Sequence, residues 1–186
     1  MKVIPIPAFL HDVLGDSQSA GALALIAAFG TAVPALLFAM QPDLFSAIPL
    51  WRSALAILLI VDIAAGCIAN FTPGTSAFYA ARPLNRWIFI AIHVHIIAVA
   101  LLLGTGITEA IAVWTYAMAG TVCVNALAGN RLQPVTGGFV LAAGLTGTTL
   151  WGTGSPALLV VMQLFLLKLV YAFAVDHYGD TAKGAA

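Results

Sequence analysis

The chain is organised by long apolar runs separated by short polar breaks. Six windows each hold about 20 mostly apolar residues, the length a helix needs to cross the hydrocarbon of a bilayer. They are 20–40, 49–69, 87–104, 108–128, 136–153 and 155–175. The pattern predicts an all-α integral membrane protein: a compact bundle of six transmembrane helices forming one domain over 1–186. Connections between spans are short, apart from the stretch between Asn70 and Arg86. The fifth window is the least apolar, with Gly137, Gly138, Gly144, Gly147, Thr146, Thr148 and Thr149. Small residues let helix backbones approach closely, so this helix is expected inside the bundle rather than against lipid.

Composition supports the membrane reading. The 186 residues are 62% hydrophobic and 8% charged, against roughly 45–50% and 25% in soluble domains. Seven Lys and Arg balance seven Asp and Glu, so no basic surface is available for nucleic acid. Cys67 and Cys123 are too few for a secreted disulfide framework. Residues 1–19 lack the apolar core of a signal peptide, because Pro5, Pro7, His11, Asp12 and Asp16 interrupt it. Residues 7–16 can instead form a short interfacial segment before the first span.

Charge in the short connections sets the expected orientation. Lys2, Arg82, Arg86, Arg131 and Lys183 fall on one side of a six-span topology, and Arg52 on the other. The positive-inside rule then places both termini in the cytoplasm, in a bacterial inner membrane.

Ionisable residues within spans carry the functional signal, since a charge at membrane depth is costly. Asp62 in the second span, His93 and His95 in the third and Lys168 in the sixth lie about 10–13 Å inside the cytoplasmic boundary, at 1.5 Å per residue. Residues three, four and seven apart share a helix face. Asp62, Gly66 and Asn70 therefore align, as do Arg86 with His93 and Lys168 with Tyr171. His93 and His95 are about 200° apart on a regular helix, so His93 is expected to face the site and His95 to turn away. Asn125 and Thr146 can extend the polar lining from the fourth and fifth spans. Arg86, after the Pro73-Gly74 turn, is placed to meet an anionic substrate. Asp176 and His177 fall at the end of the last span, where His177 serves as a cap.

Several enzyme classes lack their residues. The serines lie at span ends or in loops, which disfavours an intramembrane serine protease. His-Glu-x-x-His is absent, and Glu109 is the only glutamate. A metal held by Asp62 and His93, with His95 or His177, is the weaker alternative, because adjacent His-x-His on a helix does not converge on one ion. No cofactor is specified. The expected activity is that of a small channel or proton-coupled transporter for a small solute, with Asp62, His93, Lys168, Asn70, Arg86, Asn125 and Tyr171 lining its site. The alternatives are a metal-dependent enzyme acting on a lipid and a non-catalytic subunit. The expected partners are the bilayer, a small solute or lipid, and a homo-oligomer or larger membrane complex.

Overall fold

The computed structural model describes residues 3–152 and 154–178. The chain opens with a small lobe. Strand β1 (Val3–Pro5) pairs antiparallel with β2 (Ser17–Ser19), and between them a 3-10 turn, Ala8–Leu10, runs into α1 (His11–Leu14). The rest is helical: α2 (Ala20–Met40), α3 (Pro42–Ser46), α4 (Leu50–Ala69), α5 (Pro73–Ala80), α6 (Pro83–Ile92), α7 (His95–Leu103), α8 (Ile107–Ala126), α9 (Gln133–Trp151) and α10 (Pro156–Leu166). The last helix continues beyond α10 as a π-helical segment, Leu167–Phe173.

Helix starts follow the local sequence. Ser19, Thr72 and Ser155 cap α2, α5 and α10 by accepting from Ala22, Thr75 and Leu158 backbone N–H groups. Proline opens α3, α5, α6, α9 and α10, where its missing N–H costs nothing. Gly104 closes α7 in the left-handed region at φ 71°, which glycine adopts without a Cβ penalty.

Among the described residues, five helical stretches are long and apolar enough to cross a membrane: Ala20–Met40, Leu50–Ala69, Pro83–Leu103, Ile107–Ala126 and Pro156–Phe173. The third of these joins α6 and α7 across a break. The helix α9 has comparable length, 19 residues, but its glycine, threonine and glutamine content makes it less apolar.

The last helix, not the fifth window, is the centre of the bundle. Leu158, Val161, Met162, Phe165, Leu166, Leu169 and Val170 are all fully buried, against residues of α4, α7 and α8 such as Ile63, Ile96, Val99, Ala117 and Val124. The expectation for 136–153 is corrected accordingly. Helix α9 buries only Gln133, Gly137, Gly144 and Thr148. Its small residues do let neighbouring side chains reach the backbone, but along one narrow face. A Cβ on Gly144 would lie 2.8 Å from the Tyr116 ring and 3.1 Å from Leu166, while one on Gly147 would meet nothing within 4 Å.

These two glycines, one turn apart, provide a controlled test of the packing. Gly144→Val should lower stability by about 1–3 kcal/mol through overpacking, whereas Gly147→Val should leave it unchanged or slightly raised. Thermal unfolding of the two variants in the same detergent measures the difference.

Candidate functional site

Asp62, on α4, is the centre of an ionic cluster. Lys168 Nζ lies 2.8 Å from Asp62 Oδ2 and 3.4 Å from the Asp62 carbonyl oxygen. His95 Nδ1 lies 3.1 Å from the same carboxylate oxygen, close but out of line for a hydrogen bond. The lysine is 2% exposed and Asp62 34%. Lysine at that burial persists only when paired.

The slot for the lysine is made by Gly66, one turn along α4. A Cβ there would fall 2.4 Å from Lys168 Cε and 2.8 Å from Nζ. Any larger residue would occupy the volume of the ammonium. The last carbonyls of a helix have no partner within it, and here they are satisfied from other elements. Asn70 Nδ2 donates to the Lys168 carbonyl at 3.3 Å. Arg86 Nη2 donates to the Phe173 and Ala174 carbonyls at 2.9 Å each. Gln133 Nε2 reaches the Ala174 carbonyl from α9, also at 2.9 Å.

The break between α6 and α7 brings His95 into the cluster. His93 sits at φ −78°, ψ 75°, and Val94 N–H donates to the Ile92 carbonyl at 2.9 Å, the geometry of an inverse γ-turn. Carbonyls displaced from the helical ladder at this point find side-chain partners. His93 Nδ1 lies 2.5 Å from the Phe89 carbonyl oxygen, and Trp114 Nε1 donates to the His93 carbonyl at 2.9 Å. The separation of about 200° between His93 and His95 holds only on a continuous helix. With the helix interrupted, His95 approaches the carboxylate and His93 packs on Phe89, ring centroids 3.9 Å apart.

Asp62, Gly66, Asn70, Phe89, His93, His95 and Lys168 line a cavity of about 140 Å³, closed on one side by Asp12 and Val13 of the N-terminal lobe. The lobe docks on α5 through backbone approach and polar anchors. A Cβ on Gly15 (φ 72°) would meet the Gly74 carbonyl oxygen at 2.3 Å, and one on Gly74 the Ser17 carbonyl oxygen at 2.0 Å. Buried Gln18 donates to Thr72 Oγ1 at 2.7 Å, and Tyr79 OH donates to the Asp12 carbonyl at 2.7 Å. His11 and Arg82 both reach the Asp16 carboxylate, at 3.2 and 3.5 Å.

Of the residues expected in the site, Asp62, Lys168, His93 and Asn70 come together. His95 joins them, correcting its assignment outside the site. Arg86 and Asn125 do not. The Arg86 guanidinium bonds the Asn125 side chain and caps the last helix, and the two line a separate cavity with Trp87 and Asp176. Tyr171 packs against Phe71 and His177, because the wider π turn carries it away from the Lys168 face. Thr146 is exposed on α9. His177 Nε2 donates to the Tyr171 carbonyl at 3.1 Å, a capping contact. Among the described residues, no three His, Cys, Asp or Glu side chains are grouped to hold a metal ion.

Trp114, Asp12 and Val13 were not anticipated. Trp114 reads as an interfacial aromatic, and nothing in one sequence links it to a break in the preceding span. No protein-family model matches the chain, and no curated protein or solved structure shows significant similarity to it.

Two outcomes are expected. Lys168→Met alone leaves the Asp62 carboxylate without its ammonium and should cost about 3 kcal/mol. Adding Asp62→Asn should recover most of that loss, as read by thermal unfolding of the single and double variants. At the lobe, burial, with Asp12 nearby, holds the Tyr79 hydroxyl above its ordinary range. The fold favours the neutral phenol, so lobe docking is at full strength below pH ~10 and is lost as pH rises further. Tyr79→Phe should remove that alkaline dependence and weaken docking by about 1 kcal/mol, seen as faster proteolysis between residues 3 and 19.

Proposed function

We propose that the chain is a small proton-coupled transporter or channel for a small solute, working through the Asp62–Lys168–His95 cluster. The observation that carries this reading is the buried ammonium of Lys168 held by a carboxylate that also faces an imidazole and a cavity. A purely structural ion pair gains nothing from an adjoining void or a third titratable group. Groups of this kind at membrane depth mark proton and ion pathways, and histidine changes charge near neutral pH. A broken helix beside the cavity fits the same reading, since transporter sites use discontinuous helices at the binding point.

In this proposal α9 also crosses the membrane. Six crossings then put both termini on the cytoplasmic side of a bacterial inner membrane, in keeping with Arg82, Arg86 and Arg131 at one end and Arg52 at the other. The N-terminal lobe covers the cavity from the cytoplasmic side. Protonation within the Asp62 cluster weakens the hold on Lys168 and lets the site exchange its contents.

Vesicles containing the full chain and a trapped pH-sensitive dye test this. Inward gradients of chloride, nitrate, tetramethylammonium, glycine and urea are applied in turn. At least one should drive proton movement, and Asp62→Asn should reduce it at least tenfold. Proton-linked flux of wild-type size in Asp62→Asn, or no response to any of the five, would overturn the reading.

A further inference from the structure

The walls of the Asp62 cavity are rich in nitrogen. Lys168, His93, His95 and Asn70 are set against a single carboxylate inside the span, Asp62. Asp12, at the lobe wall, is exposed. The Phe89 carbonyl can only accept, so His93 Nδ1 carries the hydrogen and Nε2 of the neutral ring is an acceptor. His93 is 3% exposed and lines the cavity. Helix α7 begins at His95, also in the cavity wall, so the positive end of a nine-residue helix dipole abuts the same space. Half-helix N-termini at membrane depth receive anionic groups of solutes.

Charge counting narrows the solute. With both imidazoles neutral, Asp62 and Lys168 cancel. One added proton leaves a net charge of +1 that burial makes costly. Lys168 cannot withdraw readily, because its stem fills the Gly66 slot. The remedy is an anion of charge −1 beside Nζ. The volume, about 140 Å³, is below the roughly 300–1,000 Å³ of sites for drug-sized ligands, so the anion has few heavy atoms.

We propose that the solute is a small monovalent anion, and that one proton and one anion pass the Asp62–Lys168–His95 site together. This rests on the transport reading above and specifies its substrate class. A proton entering the Asp62–His95 pair neutralises the carboxylate's charge or balances it with an imidazolium, and the ammonium then pairs with the anion. When the anion leaves, the proton leaves with it and the Asp62–Lys168 pair re-forms, so no net charge crosses. Every element packed on Asp62 contributes to this balance: Lys168 from the last helix, His95 from α7, His93 from the end of α6 and Asp12 from the lobe. On α4 itself, the Cys67 thiol donates to the Leu164 carbonyl at 3.0 Å. Helix α2, which packs along α4, carries no titratable side chain.

The test uses vesicles containing the full chain and a trapped pH dye, with sodium nitrate as probe. Sodium gluconate, a bulky polyhydroxy anion, and tetramethylammonium gluconate are the comparisons. An inward nitrate gradient should acidify the lumen at least tenfold faster than gluconate. The paired variant Asp62→Asn/Lys168→Met, which removes both charges together and so avoids an orphaned one, should lose that response. In calorimetric titrations of the detergent-solubilised chain, nitrate affinity should fall about tenfold per pH unit on the alkaline side, the signature of one linked proton. Proton movement driven by tetramethylammonium but not by nitrate would leave the transport reading standing and overturn the anion. A nitrate response unchanged in the paired variant, or nitrate binding independent of pH, would also overturn it. No proton movement with any solute would remove both proposals together.

Discussion

The contact between Lys168 and Asp62 is the constraint around which the rest of the bundle is arranged. An ammonium with almost no exposure needs a carboxylate at bonding distance, room for its stem and a backbone that delivers it at the right height. Asp62 supplies the first and Gly66 the second. The π-helical segment, braced by Asn70, Arg86 and Gln133 from three other helices, supplies the third. Each of these is a polar or glycine position in an otherwise apolar chain.

Interruption of regular structure is the recurring device here. The third span gives up helical bonds at His93 and recovers partners from its own imidazole and from Trp114. The last helix widens its turns just where the buried lysine sits. Backbone irregularity at membrane depth persists only where protein groups satisfy it, and both irregularities adjoin the same cavity. The N-terminal lobe adds a third boundary, made by polar anchors and glycine contacts with α5 rather than by apolar burial.

Legibility from sequence divides along physical lines. Long apolar windows and the depth of Asp62, His93, His95 and Lys168 depend on residue type and on rise per residue, so helical membrane character and the height of the cluster were readable. The facing of His95 depended on a helix staying regular, and Tyr171 failed as a site residue for the same reason at the other end. Position relative to the bundle axis was not readable for the fifth window, because glycine and threonine suit one close-packed face without requiring burial all round. Arg86, by its place after the Pro73-Gly74 turn, is expected to meet a substrate and instead caps the last helix. Its work as a cap depends on where a distant helix ends, which no local pattern encodes.

The π-helical segment has a further consequence for how this chain tolerates change in length. A π turn accommodates one residue more than an α turn, so it behaves as a stored insertion. Deleting a single residue between Lys168 and Phe173 could be absorbed by reversion to α-helix, with the residues beyond keeping their register against Arg86 and Gln133. A deletion between Asp62 and Asn70, where α4 has no such reserve, would rotate one about 100° relative to the other. The two halves of the ion pair thus sit on helices of unequal slack, and a single-residue deletion is absorbed on the lysine side and not on the aspartate side.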